Sequence, residues 1–171
     1  MGYSLWELNV YGTPTDTTAP STEASLDGPG AGGWFTGPAT VTLTASDEPG
    51  GSGLASTEYQ VDGAAAWTVY NGPFEVAGDG VHEVRFRSTD AAGNVEALRS
   101  AAVKVDGTGP ATAVSGVAHG GVYGDSQDVR IAYEAVDPTS GIATTAGTMN
   151  GAPYPSGRLQ PLYDLGRACT S

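Results

Sequence analysis

Basic charge is scarce in this chain: seven Lys and Arg face nineteen Asp and Glu across 171 residues. The resulting formal charge of −12 repels a polyanion, and no Lys/Arg stripe offsets it, which excludes nucleic-acid binding. Cysteine is nearly absent too. Cys169 stands alone, so neither an intrachain disulfide nor a cysteine-based zinc site can be assembled. No apolar run approaches the roughly 18 residues that a bilayer span requires. Met1 leads directly into Gly-Tyr-Ser-Leu-Trp, without the basic and apolar regions of a signal peptide. Helix-favouring composition is lacking as well: 26 Gly, 11 Pro and only 15% charged residues argue against a helical bundle. What remains is 39% hydrophobic residues with eight Tyr, three Trp and three Phe, enough to build a modest core rather than a disordered chain.

A repeat organises the sequence. Asp16-Thr17-Thr18-Ala19-Pro20 returns in form as Asp106-Gly107-Thr108-Gly109-Pro110, a D-x-T-x-P pattern displaced by 90 positions. An alternating segment ending in Asp follows each, Ala39 to Asp47 in one copy and Val129 to Asp137 in the other. Ser52-Gly53-Leu54 then matches Ser140-Gly141-Ile142, and the turn Asp62-Gly63 matches Asn150-Gly151. Offsets of 88 to 90 at four landmarks imply two units of about 90 residues each.

Inside the first unit the period is two. Val41, Leu43 and Ala45 alternate with Thr40, Thr42 and Thr44, and Tyr59 and Val61 alternate with Glu58, Gln60 and Asp62. Val84, Phe86 and Ser88 alternate with Glu83, Arg85 and Arg87, and Ala101, Val103 and Val105 close the unit. Each pattern is that of a half-buried antiparallel strand. Turn signals at Asp62-Gly63, Asn71-Gly72-Pro73, Gly78-Asp79-Gly80 and Gly93-Asn94 separate them. The expected fold class is all-β: tandem immunoglobulin-like antiparallel β-sandwiches, the second incomplete.

Four segments carry a resemblance: Thr36 to Leu43, Glu58-Tyr59-Gln60-Val61-Asp62-Gly63, Tyr70-Asn71-Gly72-Pro73-Phe74, and Ser88-Thr89-Asp90-Ala91-Ala92-Gly93-Asn94. On them the first unit resembles the bacterial Ig-like domains repeated through secreted and surface-attached modular proteins. The last segment is similar to that group's hairpin between its final two strands, with Gly93-Asn94 able to take positive φ and Asp90 able to cap backbone N–H groups. Gly2 to Gly12 resembles the last strand of a discoidin-like (factor 5/8 type C) sugar-binding domain. The expected division is therefore residues 1–18 as a remnant strand and linker, 19–108 as an Ig-like domain, and 109–171 as a truncated second one. Leu162 to Gly166 aligns with Phe74 to Gly78, and nothing matching Val81 to Asp106 follows it. A fragment of a larger parent, with more modules on both sides, is the expectation.

Chemistry-bearing residues are few. Gly28-Pro29-Gly30-Ala31-Gly32-Gly33 has the spacing of a dinucleotide-binding turn, but a strand pattern follows it rather than a helix, so it reads as a surface loop. His82 lies in an alternating strand, His119 lies in a Gly-rich stretch, and no G-x-S-x-G elbow occurs. No catalytic residue is expected. Asp47-Glu48 and Asp90 flank strands, while Asp16 and Asp106 fall in the linkers. Clustered oxygens of this kind suit Ca²⁺, yet the spacing matches no EF-hand, so the reading is solvated acids, no metal, no cofactor and calcium independence. Trp34, Trp67 and Tyr70 are the candidate ligand-binding residues, since exposed flat rings stack on sugar faces. The competing assignment puts Trp67 in the core and Trp34 over its end. The resemblance implies a non-catalytic extracellular or cell-surface spacer or adhesion segment of a carbohydrate-active protein. Its partners would be neighbouring modules and a polysaccharide or cell-surface glycan. The alternatives are a glycan-binding module, or a fragment of an extracellular glycoside hydrolase whose catalytic domain lies elsewhere.

Overall fold

The computed structural model describes residues 15–118, 121–122, 128–149 and 151–161. The chain divides into two compact units, Met1–Val105 and Asp106–Ser171. Trp6, His119, Cys169 and the Leu162 to Gly166 segment lie outside the described residues.

The described residues of unit 1 form eight strands: β1 (Ser21–Leu26), β2 (Trp34–Phe35), β3 (Ala39–Ser46), β4 (Leu54–Val61), β5 (Thr68–Val69), β6 (Phe74–Val76), β7 (Gly80–Asp90) and β8 (Arg99–Val105). They form a three-stranded sheet in the order β1-β3-β6 and a five-stranded sheet in the order β2-β8-β7-β4-β5. The alternation read from the sequence is realised in β3, β7 and β8, whereas β4 is half-buried without alternation from Thr57 to Val61. Ala39, Val41, Leu43 and Val76 of the first sheet pack with Val84, Phe86, Val103 and Val105 of the second, and Phe35 joins them. Their neighbours Arg85, Arg87 and Lys104 take the outer face. Tyr59 stacks on Phe74 at a centroid separation of 3.7 Å, and both pack against this core.

One element differs from its sequence reading. Trp34-Phe35, expected in a loop, forms β2, which pairs in parallel with β8 through Trp34↔Lys104 and Phe35↔Val105. Its two residues divide between the faces, so Phe35 enters the core and Trp34 does not. The Asp62-Gly63 turn has the geometry its residues favour: both take positive φ, 51° and 69°, and the Ala64 N–H closes on the Val61 carbonyl at 3.0 Å.

Unit 2 contains β9 (Ala111–Ser115), β10 (Asp128–Val136), β11 (Thr148–Met149), β12 (Ala152–Pro153) and β13 (Arg158–Pro161). The larger sheet has the order β13-β10-β9, and β11-β12 form a separate hairpin. The pairing repeats that of unit 1. Ser21↔Ser46 and Ala24↔Leu43 in unit 1 become Ala111↔Val136 and Val114↔Tyr133 in unit 2, the same register displaced by 90 positions. Val41↔Phe74 becomes Ile131↔Arg158, so the strand taking the place of β6 starts four positions before Leu162, where the sequence alignment put it.

Candidate functional site

The three aromatic candidates occupy three different environments. Tyr70 follows β5, where its N–H donates to the Thr57 carbonyl at 2.8 Å. Its ring meets Tyr59 and Phe74 edge-on, with centroids 6.4 and 6.3 Å away. Its hydroxyl accepts from the Leu43 N–H at 3.1 Å. Tyr70 thus packs against the core and satisfies a backbone donor there. Trp67 is half-buried, outside the core cluster, and the Arg87 guanidinium lies 4.5 Å from its ring centroid. Arg87 is itself tied to Glu58 at 2.6 Å, so one face of the indole is covered by the protein's own cation. Trp34 is half-buried beside Lys104, whose Nζ is 5.9 Å from the ring centroid.

Trp34 and Trp67 sit at opposite edges of one sheet, on β2 and just before β5. Four strand spacings separate those edges, roughly 19 Å. The two indoles therefore cannot stack on one sugar ring.

Sequence reasoning left the loop acids as separate solvated groups, and the fold gathers three of them. Asp16 stands in the segment before β1, and Asp47 and Glu48 begin the loop after β3. One carboxylate oxygen from each lies within 4.8 Å of the other two. Asp16 is held from both sides: Oδ1 accepts the Thr18 N–H at 3.0 Å and Oδ2 the Ser52 N–H at 2.7 Å. Those backbone donors, Ser52 foremost, together with the Ser52 hydroxyl, hold its carboxyl well below the usual carboxylate range. Asp47 Oδ2 accepts the Gly53 N–H at 2.6 Å. Asp47 Oδ1 and Glu48 Oε2 are closed off from solvent with no donor in reach. Glu48 accepts from its own backbone N–H, which lowers its pKa, but the adjoining Asp47 carboxyl, together with desolvation, outweighs this and raises it.

Unit 2 repeats half of this arrangement. Asp106 Oδ1 accepts the Thr108 N–H at 3.1 Å and Oδ2 the Ser140 N–H at 3.1 Å. Asp137 stands where Asp47 does, but the residue matching Glu48 is Pro138.

The remaining polar candidates act structurally. Asp90 is buried and accepts from the Asn94 N–H and the Asn94 side-chain amide, both at 2.7 Å, which caps the turn through Gly93 (φ 94°). His82 bridges Asp62 and the Gly78 carbonyl at 2.7 and 2.8 Å. The Gly28 to Gly33 string runs through a 3-10 turn, Ala31–Gly33, straight into β2, so no helix N-terminus meets it. The group that sequence reasoning missed entirely is Glu96, a buried carboxylate joining the two sheets of unit 1. A charged residue after a turn carries no periodic signal that would flag it. Against this geometry, no family model matches the chain, and no curated protein matches it.

Proposed function

We infer that the chain is a non-catalytic spacer or adhesion segment, two immunoglobulin-like units in series within a secreted modular protein. The observation that carries this reading is the shared register of the two units, displaced by 90 positions, with the same Asp-to-Ser clasp at the head of each. A module repeated in its pairing and its entry clasp suits serial extension of a chain. The engaged aromatics support the same reading. Tyr70 is committed to the core, Trp67 to Arg87, and Trp34 to the far edge of the sheet. Neighbouring modules are its partners, and the extracellular or cell-surface setting follows from the resemblance of unit 1 to bacterial Ig-like repeats.

Retention on insoluble chitin, cellulose and xylan tests the reading, with Trp67→Ala and Trp34→Ala as variants and circular dichroism confirming their fold. The expected result is no retention of any of the three proteins. Retention of the parent chain that either substitution abolishes would overturn the spacer reading in favour of a glycan-binding module.

A further inference from the structure

We propose that Asp16, Asp47 and Glu48 bind one oxygen-seeking divalent cation of the Ca²⁺ type, which fastens the segment entering β1 to the loop between β3 and β4. Three carboxylates whose ligand oxygens lie within 4.8 Å of one another repel strongly unless something positive joins them. Among the Lys and Arg whose side chains are described, none does. Arg85, Arg87 and Arg99 pair with Glu83, Glu58 and Glu96, Arg130 donates to the Gly157 carbonyl, and Lys104 lies over Trp34.

The observation that points to a ligand is separate from the clustering. Asp47 Oδ1 and Glu48 Oε2 are shut off from water, and no protein donor replaces the water they lose. Burying charged oxygens without a partner is costly enough that such atoms coordinate a cation or take a proton. The loop backbone also leaves room for the convergence. A Cβ on Gly51 would lie 2.8 Å from Asp47 Oδ2 and 2.9 Å from the Glu48 carboxyl carbon, so any larger residue would push the two carboxylates aside.

All-oxygen donors favour a hard cation. Ca²⁺ accepts carboxylates in irregular geometry and completes its shell of six to eight oxygens with water, whereas Mg²⁺ demands a near-octahedral site. Unit 2 provides an internal contrast. With Pro138 in place of Glu48 it has two of the three carboxylates, which predicts one site per chain rather than two.

Isothermal titration of the full chain, stripped with EDTA, tests this with CaCl₂ and MgCl₂ in parallel. The expected result is one Ca²⁺ per chain, weaker Mg²⁺ binding, and at least a tenfold loss of Ca²⁺ affinity in Glu48→Gln and Asp47→Asn. The surface control Glu75→Gln should bind as the parent does. Absence of both heat and a thermal shift with Ca²⁺ up to about 10 mM, beyond the weak range of extracellular modules, would overturn the proposal. So would an equal response in the parent and both variants, which is what diffuse counterion binding by an acidic surface gives. If a variant fails to fold, the stoichiometry measured on the parent chain still decides. The titration reads cation binding alone, so either result leaves the polysaccharide test untouched.

Discussion

His82 has an acceptor at each end of its ring: Asp62 Oδ2 lies 2.7 Å from Nδ1, and the Gly78 carbonyl oxygen lies 2.8 Å from Nε2. Only the doubly protonated imidazolium donates to both. The Asp62 hydrogen bond, followed by that to the Gly78 carbonyl, raises the pKa of His82 above its ordinary 6.5. The His82 hydrogen bond and then the Glu83 N–H lower that of Asp62 below 3.8. The raised histidine stabilises the fold fully below pH 6.5, and this is lost as pH rises through the folded value. The lowered aspartate stabilises fully above pH 3.8, and this is lost as pH falls through its own folded value. The pair therefore contributes most between pH 3.8 and 6.5. Asp62 is half-exposed, so the contribution is about 1 kcal/mol or less. Melting temperatures of the parent and His82→Gln from pH 4 to 9 should differ most near pH 5 and converge at alkaline pH. Parallel curves across the whole range would mean that His82 is not protonated in the fold.

At the scale of elements, the two sheets of unit 1 are joined by a polar chain as well as by apolar contact. Glu96 Oε1 accepts the Thr22 N–H at 2.8 Å, and Oε2 accepts the Thr22 hydroxyl at 2.6 Å and the Ser88 N–H at 3.2 Å. The Ser88 hydroxyl continues the chain to Thr22 at 2.6 Å and to Thr57 on β4 at 2.8 Å. Removing the carboxylate by Glu96→Ala leaves three buried donors unsatisfied, and the expected cost is about 2–3 kcal/mol in denaturant unfolding. Thr57→Val, at the far end of the chain, should cost about 1 kcal/mol. Equal losses in the two variants would show that Glu96 is not the hub. None of this network was legible in the sequence, because a buried Thr, Ser or Glu looks the same on the page as an exposed one. The strands around it were legible, since a half-buried strand writes its period of two directly, as at Val41, Leu43, Val84 and Phe86. A two-residue strand cannot show a period, which is why Trp34-Phe35 reads as loop and forms β2. The acidic trio was visible only as residue types. Asp16 and Asp47 are 31 positions apart, and the β1-β3 pairing that closes that distance was not read from the sequence.

For the whole molecule, the two units share a register but not a degree of closure. In unit 1, Val41 and Val84 are fully buried and Phe86 is 3% exposed, each covered by the opposite sheet. In unit 2 the β10 residues that match Val41 and Leu43 of β3, Ile131 and Tyr133, are only half-buried. Together with Val114 and Met149 they line a cavity of about 310 Å³, and the described buried apolar residues there are Val129 and Tyr154. Apolar burial is the main favourable term in folding, so the amides of unit 1 should open far less often than those of unit 2. Hydrogen exchange read by mass spectrometry should show the slowest amides in β3, β7 and β8 and markedly faster exchange in β9 and β10. Phe86→Ala sharpens the test. Truncating a buried Phe costs about 3–5 kcal/mol, and that loss should appear as faster exchange throughout β3, β4, β7 and β8, because they surround one core. Protection of β9–β10 should change by far less than that of unit 1, as those strands bury none of the Phe86 core. Equal acceleration in both sets of strands would mean that the two units unfold as one cooperative body, and the difference in closure would then have no consequence for stability.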